Sequence, residues 1–116
     1  VRAHPLKKTK GFFMLHSNFR TFQLAVTFYQ QCEQLKCASH LKNQLLRAAS
    51  SVVLNLSEGS ARAGDADRKR FYNIAFASTR EVQAILVLVP HASQSILSAS
   101  DSLGASTYRL CHPKRV

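Results

Sequence analysis

Four apolar-striped stretches divide the chain, separated by short polar breaks, and the spacing within each is helical. Leu15, Phe19, Phe22, Val26 and Tyr29 recur at i, i+4 and i+7, beside a second strip of Ala25, Phe28, Cys32 and Leu35. Two strips make a face wider than a lone surface helix needs, and Asn18 can serve as N-cap, so a helix is predicted over roughly 18–37. Leu41, Leu45, Ala48, Ala49, Val52 and Leu56 line a second helix over roughly 40–61, with Ser39 as its cap. Gly59 and Gly64 bracket its end, where glycine adopts the left-handed C-cap conformation cheaply. Asp65 is expected to cap a third helix, Asp67 suits the positive end of its dipole, and Pro90 stops it. Its inner stripe is Phe71, Ile74, Ser78, Val82, Ile85 and Val89. A serine-rich fourth helix over roughly 92–110 carries Ile96, Ala99, Leu103, Ser106 and Leu110. Gly104 weakens it, unless it lets two helices approach closely.

No strand alternation interrupts this pattern, and short connections place successive helices side by side. The expected fold is all-α, an antiparallel up-down-up-down four-helix bundle. Residues 18–110 form the bundle, between a basic, disordered tail at 1–17 and a basic tail at 111–116. The run Ala84–Val89 is apolar all round, and a small monomer cannot cover every side of it. A further partner surface is implied, most simply a second copy of the chain. That run is too short to cross a membrane, and Phe12–Leu15 is too short for the core of a signal peptide. A cytoplasmic protein without a membrane partner is therefore expected. Beginning at Val1 suggests a fragment or a start codon translated literally, with Met14 as an alternative start.

Composition sharpens the picture. A hydrophobic fraction of 46% suffices for a packed core, and the absence of Trp makes that core mainly aliphatic. Sixteen Lys and Arg against six Asp and Glu give a net charge of +10. Arg2, Lys7, Lys8, Lys10, Lys114 and Arg115 lie in the tails, so much of the excess is terminal. A basic chain attracts polyanions such as RNA or DNA, although charge alone reads equally well as solubility.

The candidate nucleic-acid-binding residues are Arg62, Arg68, Lys69 and Arg70, gathered where the second and third helices meet. They would contact phosphates without reading bases, and in a ring they would repeat as a belt. The competing reading is a solvated helix end: successive helical residues splay by about 100°, and Asp65 and Asp67 partly neutralise the group. Arg47, Asn55, Glu58 and Glu81 read as a structural polar network: Arg47 and Glu81 each adjoin an apolar stripe on helices expected to pack together, so a buried ion pair or a hydrogen-bonded network between the second and third helices is expected. No catalytic residue stands out. Cys32, Cys37 and Cys111 lack a C-x-x-C pair and read as buried, reduced thiols, and the five His are scattered without a metal-binding spacing. The sequon at Asn55 is mid-helix and is discounted. No metal, no cofactor and no enzymatic activity are expected.

Gln44, Leu45, Arg47, Ala48, Ala49, Ser51, Asn55, Glu58 and Gly59 form one long motif. Arg70, Phe71, Ile74, Ala75, Ser78 and Glu81 form a second, and Leu103-Gly104 through Tyr108 and Leu110 a third. Over roughly 18–110 the chain thereby resembles the four-helix bundle proteins encoded in intervening sequences of bacterial 23S rRNA genes. Four positions depart from the family pattern. Ala77 stands for Gly, Ser57 for a small apolar residue, Thr107 for an apolar one and Val87 for a polar one. The resemblance implies a left-handed bundle, assembled as a cyclic homopentamer with a central pore and a basic surface. It also implies kinship with an accessory protein of diversity-generating retroelements, which works with a reverse transcriptase and binds nucleic acid. It implies no biochemical activity of its own. The expected function is a non-enzymatic oligomeric bundle that associates with RNA or other nucleic acid. The competing readings are a protein-binding scaffold or accessory subunit, and a selfish-element passenger without host role.

Overall fold

A computed structural model describes residues 19–114. The expectations for Asn18, Leu15 and the basic N-terminal tail lie outside them. Four helices follow in order: α1 (Arg20–Gln34), α2 (Ser39–Ser60), α3 (Asp65–Val87) and α4 (Gln94–Cys111).

The helix ends show how local chemistry sets each boundary. α1 stops at Gln34, short of the expected 37. The Lys42 ammonium, reaching back from α2, donates to the Glu33 and Leu35 carbonyls at 3.0 and 2.6 Å. It thus satisfies carbonyls that a helix C-terminus leaves free and sits at the negative end of the dipole. α2 starts at Ser39 itself, with Ala38 as an N-cap that makes no side-chain bond. Asp65 is the first residue of α3 and not its cap, a position held by Gly64 in an extended conformation. α3 ends before Pro90, and a tight turn follows in which the Leu88 and Val89 amides bond the Ile85 and Leu86 carbonyls. Ser93 caps α4, its hydroxyl accepting from the Ile96 amide at 3.3 Å. Cys111 is buried in the last turn of α4, so the bundle extends one residue past the expected limit of 110.

α1 packs on α2, α2 on α3, α3 on α4, and α4 back on α1, so sequence neighbours are neighbours in space. Arg47 meets Glu81, Ser51 meets Ser78, and Gly59 faces Tyr72, so residue numbers rise along α2 as they fall along α3. The same holds for α1 and α4, where Thr21 bonds Ser106 and Gln31 bonds Ser95. The His91 Nε2–H donates to the Lys36 carbonyl and ties together the two loops at one end.

The core is Phe22, Ala25, Phe28 and Cys32 from α1, and Leu45, Ala48, Ala49, Val52 and Leu56 from α2. Ala75, Val82, Ile85 and Leu86 complete it from α3, with Ile96 and Leu103 from α4. The α3 stripe differs from expectation. Ile74 is exposed, and the buried line runs through Ala75, Ser78, Thr79 and Val82. One helical residue is a 100° step, so replacing position 74 by 75 turns the isoleucine outward. Polar groups on the inner faces find partners. The Thr21 and Ser106 hydroxyls are 2.5 Å apart, and the Thr79 and Thr107 hydroxyls donate to carbonyls within their own helices.

Gly59 lies within helical α2 and not at a left-handed cap, and among the described residues no positive φ occurs. Its role is close approach: a Cβ there would sit 2.7 Å from the Tyr72 ring and 3.2 Å from the Phe71 Cβ. Gly104 faces a softer neighbour, the Gln83 amide.

Candidate nucleic-acid interface

The end of the bundle where α2 passes into α3 holds the four basic residues singled out from the sequence. They do not act as one group. Arg62 pairs with Glu58 on its own helix and lies 3.7 Å from Asp67. Arg68 pairs with Asp65 and donates to the Arg62 carbonyl at 2.7 Å, closing the α2–α3 turn. Arg70 bonds Asp67 at 3.1 Å. Arg62 and Arg70 also lie over the Phe71 ring, 4.8 and 4.3 Å from its centroid, so one phenyl draws two guanidinium groups to it. Three arginines are thus matched by three carboxylates, an arrangement that braces the turn. Lys69 is exposed and has no ion-pair partner among the described residues. Its charge acts on the Cys111 thiol, whose pKa burial raises and Lys69 partly lowers.

The expected polar network separates into three pieces. Arg47 and Glu81 do pair between α2 and α3, but their side chains are 62% and 40% exposed. The pair is therefore a surface bridge worth about 0–1 kcal/mol, well below the cost expected of a buried one. Asn55 joins neither of them. Its amide donates to the Ser51 carbonyl and hydroxyl, and that hydroxyl is 2.8 Å from Ser78. Glu58 serves Arg62.

These motif residues therefore lie chiefly along the α2–α3 seam. Residues 17–105 match the family described as 23S rRNA-intervening sequence protein. The chain belongs to this family. No curated protein and no solved structure matches it. Of the positions that depart from the intervening-sequence pattern, Ala77 faces solvent, Val87 is 80% exposed and Thr107 is fully buried with its hydroxyl satisfied.

Sequence reasoning passed over an aromatic group on the same end of this intervening-sequence protein. Tyr108 in the last turns of α4 stacks on His112, with centroids 4.1 Å apart, and meets Phe76 of α3 edge-on at 5.7 Å. The signal available was the i, i+4 spacing of two aromatic rings beside Arg109 and Lys114. Among the described residues no cluster of His, Cys, Asp and Glu could hold a metal, and no helix is long and apolar enough to cross a membrane.

Proposed function

We propose that the protein is a non-enzymatic, self-associating bundle that binds RNA or other nucleic acid with one end. The observation that carries this reading is the lopsided placement of charge. Arg20, Arg62, Arg68, Lys69, Arg70, Arg109 and Lys114 share the end where α1 and α3 begin and α2 and α4 finish, against Glu58, Asp65 and Asp67. The far end carries Lys36 and Lys42 with Glu33. Opposite charges beside a helix-bundle end attract a polyanion over several ångströms and weaken with salt. With three arginines held by carboxylates, Lys69, Arg109 and Lys114 become the principal phosphate contacts, and Arg62, Arg68 and Arg70 support them. The family's name ties it to ribosomal RNA genes and makes ribosomal RNA the first target to try.

The test is a titration of the full chain into labelled ribosomal RNA fragments at several salt concentrations. Each phosphate contact on duplex contributes about 0.9 to the log–log slope. Replacing Lys69, Arg109 and Lys114 by Gln should flatten that slope by roughly two to three units on this basis. An unchanged slope would remove these residues from the interface.

Self-association belongs to the same reading. Val87 and Leu88 are 80% and 62% exposed, and Leu54 is exposed on α2. A second copy covering them is the simplest arrangement, and a cyclic homopentamer of left-handed up-down-up-down bundles is the assembly that the resemblance implies. The same exposed residues favour the alternative of a scaffold for another protein. Co-purification with one protein, indifferent to nuclease, would support that alternative.

A further inference from the structure

The Tyr108–His112 pair is built as a platform. Tyr108 is 49% exposed, and the two rings lie within 24° of parallel. The Tyr108 carbonyl can accept only, so the His112 Nδ1–H donates to it at 3.1 Å and holds the imidazole in place. Phe76 braces the tyrosine from the side. His112 is exposed, and among the described residues Tyr108 is the one ring stacked on it, so its outer face is left to continue a two-ring stack. Around it lie cations that make no ion pair among the described residues. Arg109 is three residues before His112 and so on the same helix face. Lys114 is two residues beyond it, and Lys69 acts on the neighbouring Cys111. The one carboxylate on α4, Asp101, lies seven residues before Tyr108.

We propose that the Tyr108–His112 stack receives an unpaired base of a single-stranded nucleic acid, while Lys69, Arg109 and Lys114 take its phosphates. This rests on the nucleic-acid reading above and narrows it to a substrate class. A duplex keeps its base faces inside the helix, where a ring on a convex bundle end cannot reach them. A single strand can splay a base onto any exposed π-face, and basic side chains beside an aromatic platform are the usual way of holding one. Stacking tolerates every base and ignores the sugar, so RNA and DNA strands are expected to bind alike.

The experiment compares labelled oligo-U, oligo-dT and a short RNA duplex, titrated with the full-length chain, together with an oligo-U carrying 2-aminopurine, whose fluorescence falls on stacking. Oligo-U and oligo-dT should bind more tightly than the duplex and quench the 2-aminopurine. His112→Ala and Tyr108→Ala should each weaken oligo-U binding by roughly five-fold or more, the lower bound for losing one base stack. The salt slope and the duplex affinity should stay as they are, and Tyr108→Phe should retain binding. If Tyr108→Ala loses its helical circular dichroism, the surface variant His112→Ala and the quenching decide. Salt-dependent binding with no quenching, and unchanged affinity in His112→Ala, would overturn the platform and leave the nucleic-acid reading standing. Failure of the wild-type chain to bind strand or duplex at low salt would overturn both.

Discussion

Two glycines make opposite predictions for the same substitution. A methyl on Gly59 collides with the Tyr72 ring at 2.7 and 2.9 Å and with the Phe71 Cβ at 3.2 Å. Overpacking of this kind costs about 1–3 kcal/mol, more than the helix propensity that alanine regains. Gly59→Ala should therefore lower the urea midpoint. At Gly104 the obstacle is the Gln83 amide nitrogen, the far end of a flexible chain whose bond to the Ser100 carbonyl is 3.2 Å long. There the gain in propensity, up to about 1 kcal/mol, should prevail, and Gly104→Ala should unfold at the same or a higher urea concentration. Burial acts on a third residue. It pushes the Cys32 thiol from 9.0 to about 12, with Lys42 opposing and Cys37 assisting. The folded state then keeps a proton that the unfolded state releases, so stability is intact below pH 9.0 and declines as pH rises toward about 12. Cys32→Ala should make that alkaline decline shallower in urea melts, and thiol reagents should label the partly exposed Cys37 ahead of Cys32. Sequence periodicity placed Phe22, Leu45, Val52, Val82 and Leu103 inside. It could not say that Gly59 serves packing, because a glycine near a helix end fits a C-cap equally well until the neighbouring helix is in view.

Among the elements, α4 shows most clearly what one side chain settles. Serine at many of its positions made its start ambiguous, and Ser93 fixes it by accepting from the Ile96 amide. Ser93→Ala should cost about 1 kcal/mol and fray the first turn, seen as faster amide exchange at Gln94–Ile96. The four helices and their order were legible because each carries a 3.6-residue stripe, and α2, α3 and α4 have Gly64, Pro90 and Pro113 just past their ends, a marker that α1 lacks. What escaped were the tertiary choices: Lys42 capping α1 from another helix, and Ile74 turning outward while Ala75 turns in. The candidate site was legible in part. The pairing of Arg47 with Glu81 followed from two helices lying side by side, but exposure depends on the whole bundle. The ion pairs that occupy Arg62, Arg68 and Arg70 depend on rotamers around one turn, which the residue pattern does not encode.

For the whole molecule, the exposed Val87 and Leu88 predict assembly. Val87→Asp with Leu88→Asp should shift the full chain to a smaller species in sedimentation velocity while leaving its helical signal intact, since neither side chain enters the core. Unchanged sedimentation would remove this end from the contact. These residues lie at the C-terminal end of α3 and the cationic group at its N-terminal end, roughly 30 Å apart at 1.5 Å per residue. α3 is therefore amphiphilic along its length, with a cationic start and an exposed apolar finish. A polyanion decorated end-on by many copies would point those apolar ends outward, and pairing of the ends between copies would tie one coated strand to the next. Its solubility would fall as occupancy rises, and turbidity would climb with loading and clear again in high salt as the cationic ends let go.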